Sequence, residues 1–174
     1  MYLRGTTHHR HVHAAASRVR KNGQSFFEVE AAGIARATLQ QAWNVLTDYE
    51  RLDEFVPDLV SSKILSRDTN EAIIEQKSQT AVLFFVHTVR MVVRIEEQPY
   101  SILRVERLSG DMRHYRARWE LEPAVQAEGT RIALLGAMEP DFPLPPIVGD
   151  AIIQANVKNM VEAVIREIER RSVH

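Results

Sequence analysis

The chain has no cysteine among its 174 residues, which removes disulfides, thiolate nucleophiles, zinc–thiolate sites and iron–sulfur clusters together. Its longest apolar runs, Ala81 to Val86 and Ile132 to Met138, fall far short of the roughly 20 residues that cross a bilayer, so no transmembrane segment is expected. Glycine-rich phosphate loops, HExxH and GxSxG are missing, which leaves nucleotide chemistry, helix-borne zinc hydrolysis and the serine-hydrolase elbow without support. Acidic residues are absent from the first 24 positions, where Arg4, Arg10, Arg18, Arg20 and Lys21 give a charge of +5. The remaining 17 basic and 23 acidic residues leave the rest of the chain at −6, and an acidic body argues against nucleic acid as its partner.

Length supports one domain, read as residues 25–174 behind a flexible basic arm over 1–24. His8, His9, His11 and His13 crowd the arm, but without fixed spacing or carboxylates to orient their rings they predict no metal site. The location expected is cytoplasmic; the Arg-rich, acid-free arm keeps a transit peptide as the alternative.

Beyond the arm, Ser25 to Arg36 alternates Phe27, Val29 and Ala31 against Glu28 and Glu30, the period of a half-buried strand. Thr38 and Gln41 form a capping box that starts a helix carrying Leu39, Ala42, Trp43 and Leu46, and Tyr49, Leu52 and Phe55 predict a second short helix before Pro57. Six further strands are predicted: Val60 to Ser66, Glu71 to Thr80, Phe84 to Glu96, Ile102 to Leu108, Met112 to Glu122 and Thr130 to Met138. The prolines at 140, 143, 145 and 146 form a stiff connector to a helix over Pro145–Arg171, whose Ile153, Val157, Met160, Val161, Val164 and Ile168 make one apolar stripe. Ile147, Val148, Ile152 and Ala155 point elsewhere, so the start of this helix is expected to be enclosed on more than one side. The order β-α-α-β-β-β-β-β-β-α is an α+β architecture: a curved antiparallel sheet of about seven strands around a long C-terminal helix.

Three segments resemble the START-like helix-grip superfamily, in its polyketide cyclase/dehydrase and coenzyme Q-binding branch. They are residues 42–57 ending in Phe55-Val56-Pro57, the pair Trp119 to Pro123 and Gly129-Thr130-Arg131, and Glu139 to Pro145 leading into the terminal helix. The resemblance spans about residues 25–171 and implies a helix-grip fold with a hydrophobic ligand cavity, without implying one reaction.

The inward face of the longest strand, Phe85, His87, Val89, Met91, Val93 and Ile95, places one imidazole among apolar neighbours. His87 is therefore the candidate acid or base, although a hydrogen-bonding role without chemistry explains it as well. The ligand-lining set expected is Phe85, His87, Met91, Tyr115, Trp119, Met138, Phe142, Ile153, Val157 and Met160, with Gln76 and Ser78 as further polar contacts. Arg90, Arg94, Arg104, Arg116 and Arg118 share the opposite face with Glu106 and Glu120, where solvated ion pairs or a docking surface account for them. The function expected is binding, storage or transport of a lipid-like, quinone or polycyclic molecule, without cofactor and leaning away from catalysis. The alternatives are a polyketide cyclase/dehydratase using His87 and a module docking on a protein or ribosomal partner. A homodimer is the candidate assembly.

Overall fold

The structure is a computed structural model and describes residues 11–82 and 84–173. Eight antiparallel strands form one sheet in the order β1-β2-β8-β7-β6-β5-β4-β3. The strands are β1 (His13–Lys21), β2 (Gln24–Ala35), β3 (Leu59–Arg67), β4 (Glu71–Val82), β5 (Phe85–Gln98), β6 (Ile102–Gly110), β7 (His114–Pro123) and β8 (Thr130–Glu139). Helix α1 (Leu39–Leu46) and a 3-10 turn (Tyr49–Glu54) follow β2, and helix α2 (Gly149–Ser172) ends the chain. This is the helix-grip arrangement expected, with eight strands instead of seven.

The additional strand corrects the reading of residues 1–24 as a flexible arm. His13–Lys21 pairs along its whole length with β2, from His13 opposite Ala32 to Lys21 opposite Gln24. Asn22 and Gly23, at φ 52° and 78°, make the two-residue turn, and positive φ at both positions is the mirror-image type I′ geometry that matches strand twist. Asn-Gly is the strongest short hairpin signal, and it stands in the sequence. It is easily overlooked because the inward positions of β1 are Ala14, Ala16 and Arg18, which give no apolar alternation. Met1 to Arg10, including His8 and His9, lie outside the described residues. Among the described residues no His, Asp or Glu group is arranged to hold a metal.

Most other elements form as their residues dictate. Thr38 accepts from the Gln41 N–H at 3.1 Å and the Gln41 side chain accepts from the Thr38 N–H at 2.9 Å, closing the capping box and starting α1. Alternation in β2 puts Phe27, Val29, Ala31 and Ala35 in the core. The stripe on α2 buries Ile153, Val157, Val161, Val164 and Ile168, and Met160 stays partly exposed. The start of α2 departs from expectation: Ile147 is 95% exposed, Val148 and Ala155 are also exposed, and only the stripe face is covered.

Two polar clusters fix the closed end of the fold. The Tyr49 hydroxyl donates to the buried carboxylate of Glu97 at 2.6 Å, and Arg67 holds the same carboxylate with both guanidinium nitrogens. Burial, then that carboxylate, pushes the Tyr49 hydroxyl far above its ordinary value. The second cluster ties α2 to the turn after α1: Arg171 reaches Asp48 at 2.7 Å and Glu167 at 2.8 Å, and Arg170 donates to Glu167 at 2.6 Å. Hydrogen bonds from Arg170, with those from Arg171, hold the Glu167 carboxyl down to about 2 against the desolvation that opposes them.

Candidate functional site

Helix α2 packs against β1, β2, β8 and α1, so it grips one half of the curved sheet. The inward residues of the other half, on β4 to β7, are unevenly covered toward the end where the prolines enter, Val89 buried and His87 lying against Phe142 of the connector. Gln76, Ser78, His87, Met91, Tyr115 and Trp119 all point to the concave side and all stay partly exposed. Lower on the same strands Ile74, Val93, Ile95 and Leu103 are fully buried, which marks where the solid core begins. Strand register builds the wall directly: Phe27, Met138 and Tyr115 sit side by side across β2, β8 and β7, while Met91 lies opposite Gln76 and His87 opposite Thr80.

Tyr115 carries the most informative environment. Burial raises its hydroxyl above the ordinary tyrosine value, yet its side chain keeps some contact with open space. The hydroxyl makes no hydrogen bond to another described residue, and it is not among the sealed polar atoms. A buried tyrosine normally finds a partner, so a deep, free hydroxyl facing space is a polar handle on an apolar wall. His87 stacks flat on Phe142, with ring centroids 4.0 Å apart and planes 7° from parallel, and no described residue hydrogen-bonds its imidazole. This stack ties the strand β5 to the proline connector.

The other expected lining residues divide into three groups. Met91, Trp119, Met138 and Met160 are partly buried and pack against the core, Trp119 directly opposite Leu103. Ile153 and Val157 are core residues at 6% and 2% exposure, so they back the wall more than line it. Phe85 is 69% exposed near the β4–β5 tip, where Phe84 and Val86 are exposed too; it belongs to the rim.

Three clefts mark the surface. The larger two, of about 790 and 990 Å³, run along the outer face of the sheet over Ala15, Glu30 and Leu135. Their flanks are charged: Arg94 lies between Glu71 at 3.7 Å and Glu106 at 4.0 Å, and Arg118 meets Glu120 at 2.6 Å. The Arg94 pairs cross strands and Arg118–Glu120 lies along β7; all are solvated pairs of small energetic weight, on the face where the alternation predicted them. The third cleft, of about 230 Å³, opens at the rim between β1, β2 and the proline connector. Its Arg18, Phe27, Glu139 and Leu144 escaped the sequence reading, because Arg18 lay in the presumed arm and Glu139 closes a strand just before a proline.

The geometry and the sequence agree on a relationship. The family model for polyketide cyclase / dehydrase and lipid transport matches residues 36–165. The chain belongs to that family. No curated protein sequence matches it significantly. Among solved structures, a Thermus thermophilus protein shares the fold at a TM-score of 0.70 and 20% identity, covering 83% of this chain and 99% of its own. A Streptomyces aromatase/cyclase aligns at 0.68 and 19% identity, over 83% of this chain and 94% of its own. A STAR-related lipid transfer protein from Xanthomonas axonopodis aligns at 0.66 and 16% identity, over 88% and 98%. At these identities the likeness is one of fold. Strands β1 and β2 precede the region the family model covers. Among the described residues no helix is long and apolar enough to cross a membrane.

Proposed function

We propose that this chain binds and carries an apolar small molecule, lipid-like, quinone or polycyclic, on the concave side of the sheet between β4–β8 and the first half of α2. The observation that carries the reading is Tyr115, a deep hydroxyl with no partner among the described residues, beside Met138 in a wall of partly exposed apolar side chains. The family description, with its lipid transport, and relatives described as an aromatase/cyclase and a lipid transfer protein support the same class of ligand. Affinity would come from desolvation, about 25 cal/mol per Å² of apolar area buried, less the costs of association. Tyr115 would orient the ligand through one hydrogen bond, and the His87–Phe142 pair would form a flat wall. Binding without chemistry is favoured over cyclisation because no described carboxylate or hydroxyl fixes the tautomer of His87, as a general acid or base requires.

Native mass spectrometry of the purified protein, followed by solvent extraction and titration with an apolar fluorescent probe, tests this. The expected result is a co-purifying apolar species, or saturable probe binding that Tyr115→Phe weakens. A protein that carries nothing and binds no probe refutes it.

A further inference from the structure

The rim cleft between β1, β2 and the proline connector holds polar groups that the proposed apolar site does not use. Glu139, the last residue of β8, has a side chain only 20% exposed. Its Oε2 is sealed from solvent without a hydrogen-bond partner, and Arg18 Nη1 stands 3.8 Å away, beyond hydrogen-bonding distance. Its other oxygen, Oε1, makes no hydrogen bond to a described residue and is not sealed. Oε2 gives up water without full compensation, while the open Oε1 is the oxygen to which a ligand in the cleft could donate a hydrogen bond.

Arg18 is pinned from the other side. Its guanidinium lies 4.4 Å over the ring of Phe27 and donates to Ser25 Oγ at 3.0 Å, which leaves further N–H groups to spare. The floor is Phe27, fully buried, and the far wall is Phe142, the ring stacked on His87. The cleft thus adjoins the wall of the proposed apolar site through a shared residue. Its 230 Å³ is the volume of about eight waters at roughly 30 Å³ each, or one substituted ring.

We infer that this cleft is a polar subsite for the hydroxyl-bearing ring of a neutral ligand, the hydroxyl donating to Glu139 and its oxygen accepting from Arg18. The inference rests on the apolar-ligand reading and adds the chemistry of one end of that ligand. Arg113 also lines the cleft, 3.5 Å from Asp141, and a bare hydrocarbon would leave the open oxygen of Glu139 and the spare N–H groups of Arg18 unpaired, so the subsite selects phenols and enols over hydrocarbons. Arg18 and Phe27 lie on strands before residue 36, where the family match begins, and Glu139 lies within it.

The test compares 2-naphthol with naphthalene, titrated by fluorescence into the wild-type chain, Glu139→Leu and Arg18→Met. The wild type is expected to prefer 2-naphthol by about tenfold, the worth of one charge-assisted hydrogen bond. Both variants should lose the preference by weakening naphthol binding while naphthalene binding holds, and Glu139→Leu should melt no lower than the wild type. Equal binding of the two probes by the wild type overturns the subsite and leaves the apolar site standing. Failure of both probes to bind overturns the apolar site and the subsite with it. An unchanged preference in Glu139→Leu with a lower melting temperature would make Glu139 a structural partner of Arg18, and would overturn the proposal as well.

Discussion

Replacing Glu167 with Gln tests how the terminal helix is held. The carboxyl sits under Arg170 and Arg171, with a side chain only 10% exposed, and these partners bring it from 4.5 to about 2. At about 1.4 kcal/mol per pH unit, that displacement corresponds to at most about 3 kcal/mol of preference for the ionised, paired form. The realised loss is smaller, because Arg170 is 59% exposed and screened by solvent, and Arg171 keeps its 2.7 Å contact with Asp48. A loss of about 1–2 kcal/mol is expected, which for a chain of this size lowers Tm by roughly 2–8 °C. The pH dependence follows from the direction of the shift. A depressed carboxyl contributes its full stability above its unfolded value of 4.5 and loses it as pH falls toward 2. Urea unfolding of wild type and variant at pH 7, 4 and 2.5 should therefore give curves that differ most at pH 7 and converge at the lowest pH. A difference that stays constant down to pH 2.5, or none at pH 7, refutes the assignment of this stability to the ion-pair cluster.

The second buried carboxylate responds more severely. Arg67→Met leaves Glu97, at 8% exposure, with the Tyr49 hydroxyl as its carboxylate's one partner among the described residues, and should destabilise by about 3 kcal/mol in chemical denaturation; a loss below about 1 kcal/mol would show that Glu97 reaches water at little cost. Size changes along α2 separate wall from core. Val157→Phe, at a fully packed position, should cost about 1–3 kcal/mol of stability, whereas Met160→Trp, at a partly exposed one, should weaken apolar-probe binding with a smaller change in Tm. Equal stability losses at both would mean that the helix closes a solid core.

The local elements were legible because each is written in short-range pattern. Period-two alternation placed β2, β5 and β7 with the correct inward residues, the Thr38–Gln41 box marked the start of α1, and the stripe from Ile153 to Ile168 named the buried face of α2. Strand β1 escaped because its inward positions are alanine and arginine, whose burial depends on what lies across from them. The start of α2 misled for the converse reason: Ile147 and Val148 are apolar, but the helix packs mainly on β1, β2, β8 and α1, which leaves Ile147 and Val148 exposed.

The site divides along the same line. Parity on a strand states which way Tyr115 and His87 face, and that much needs only the sequence. Whether a neighbour covers them depends on the curvature of the sheet and on where α2 crosses it, sums of small twists and register choices over the whole chain. The cleft joining Arg18, Phe27 and Glu139 brings together residues more than a hundred positions apart, a juxtaposition that only the pairing of β1 with β2 and β2 with β8 creates.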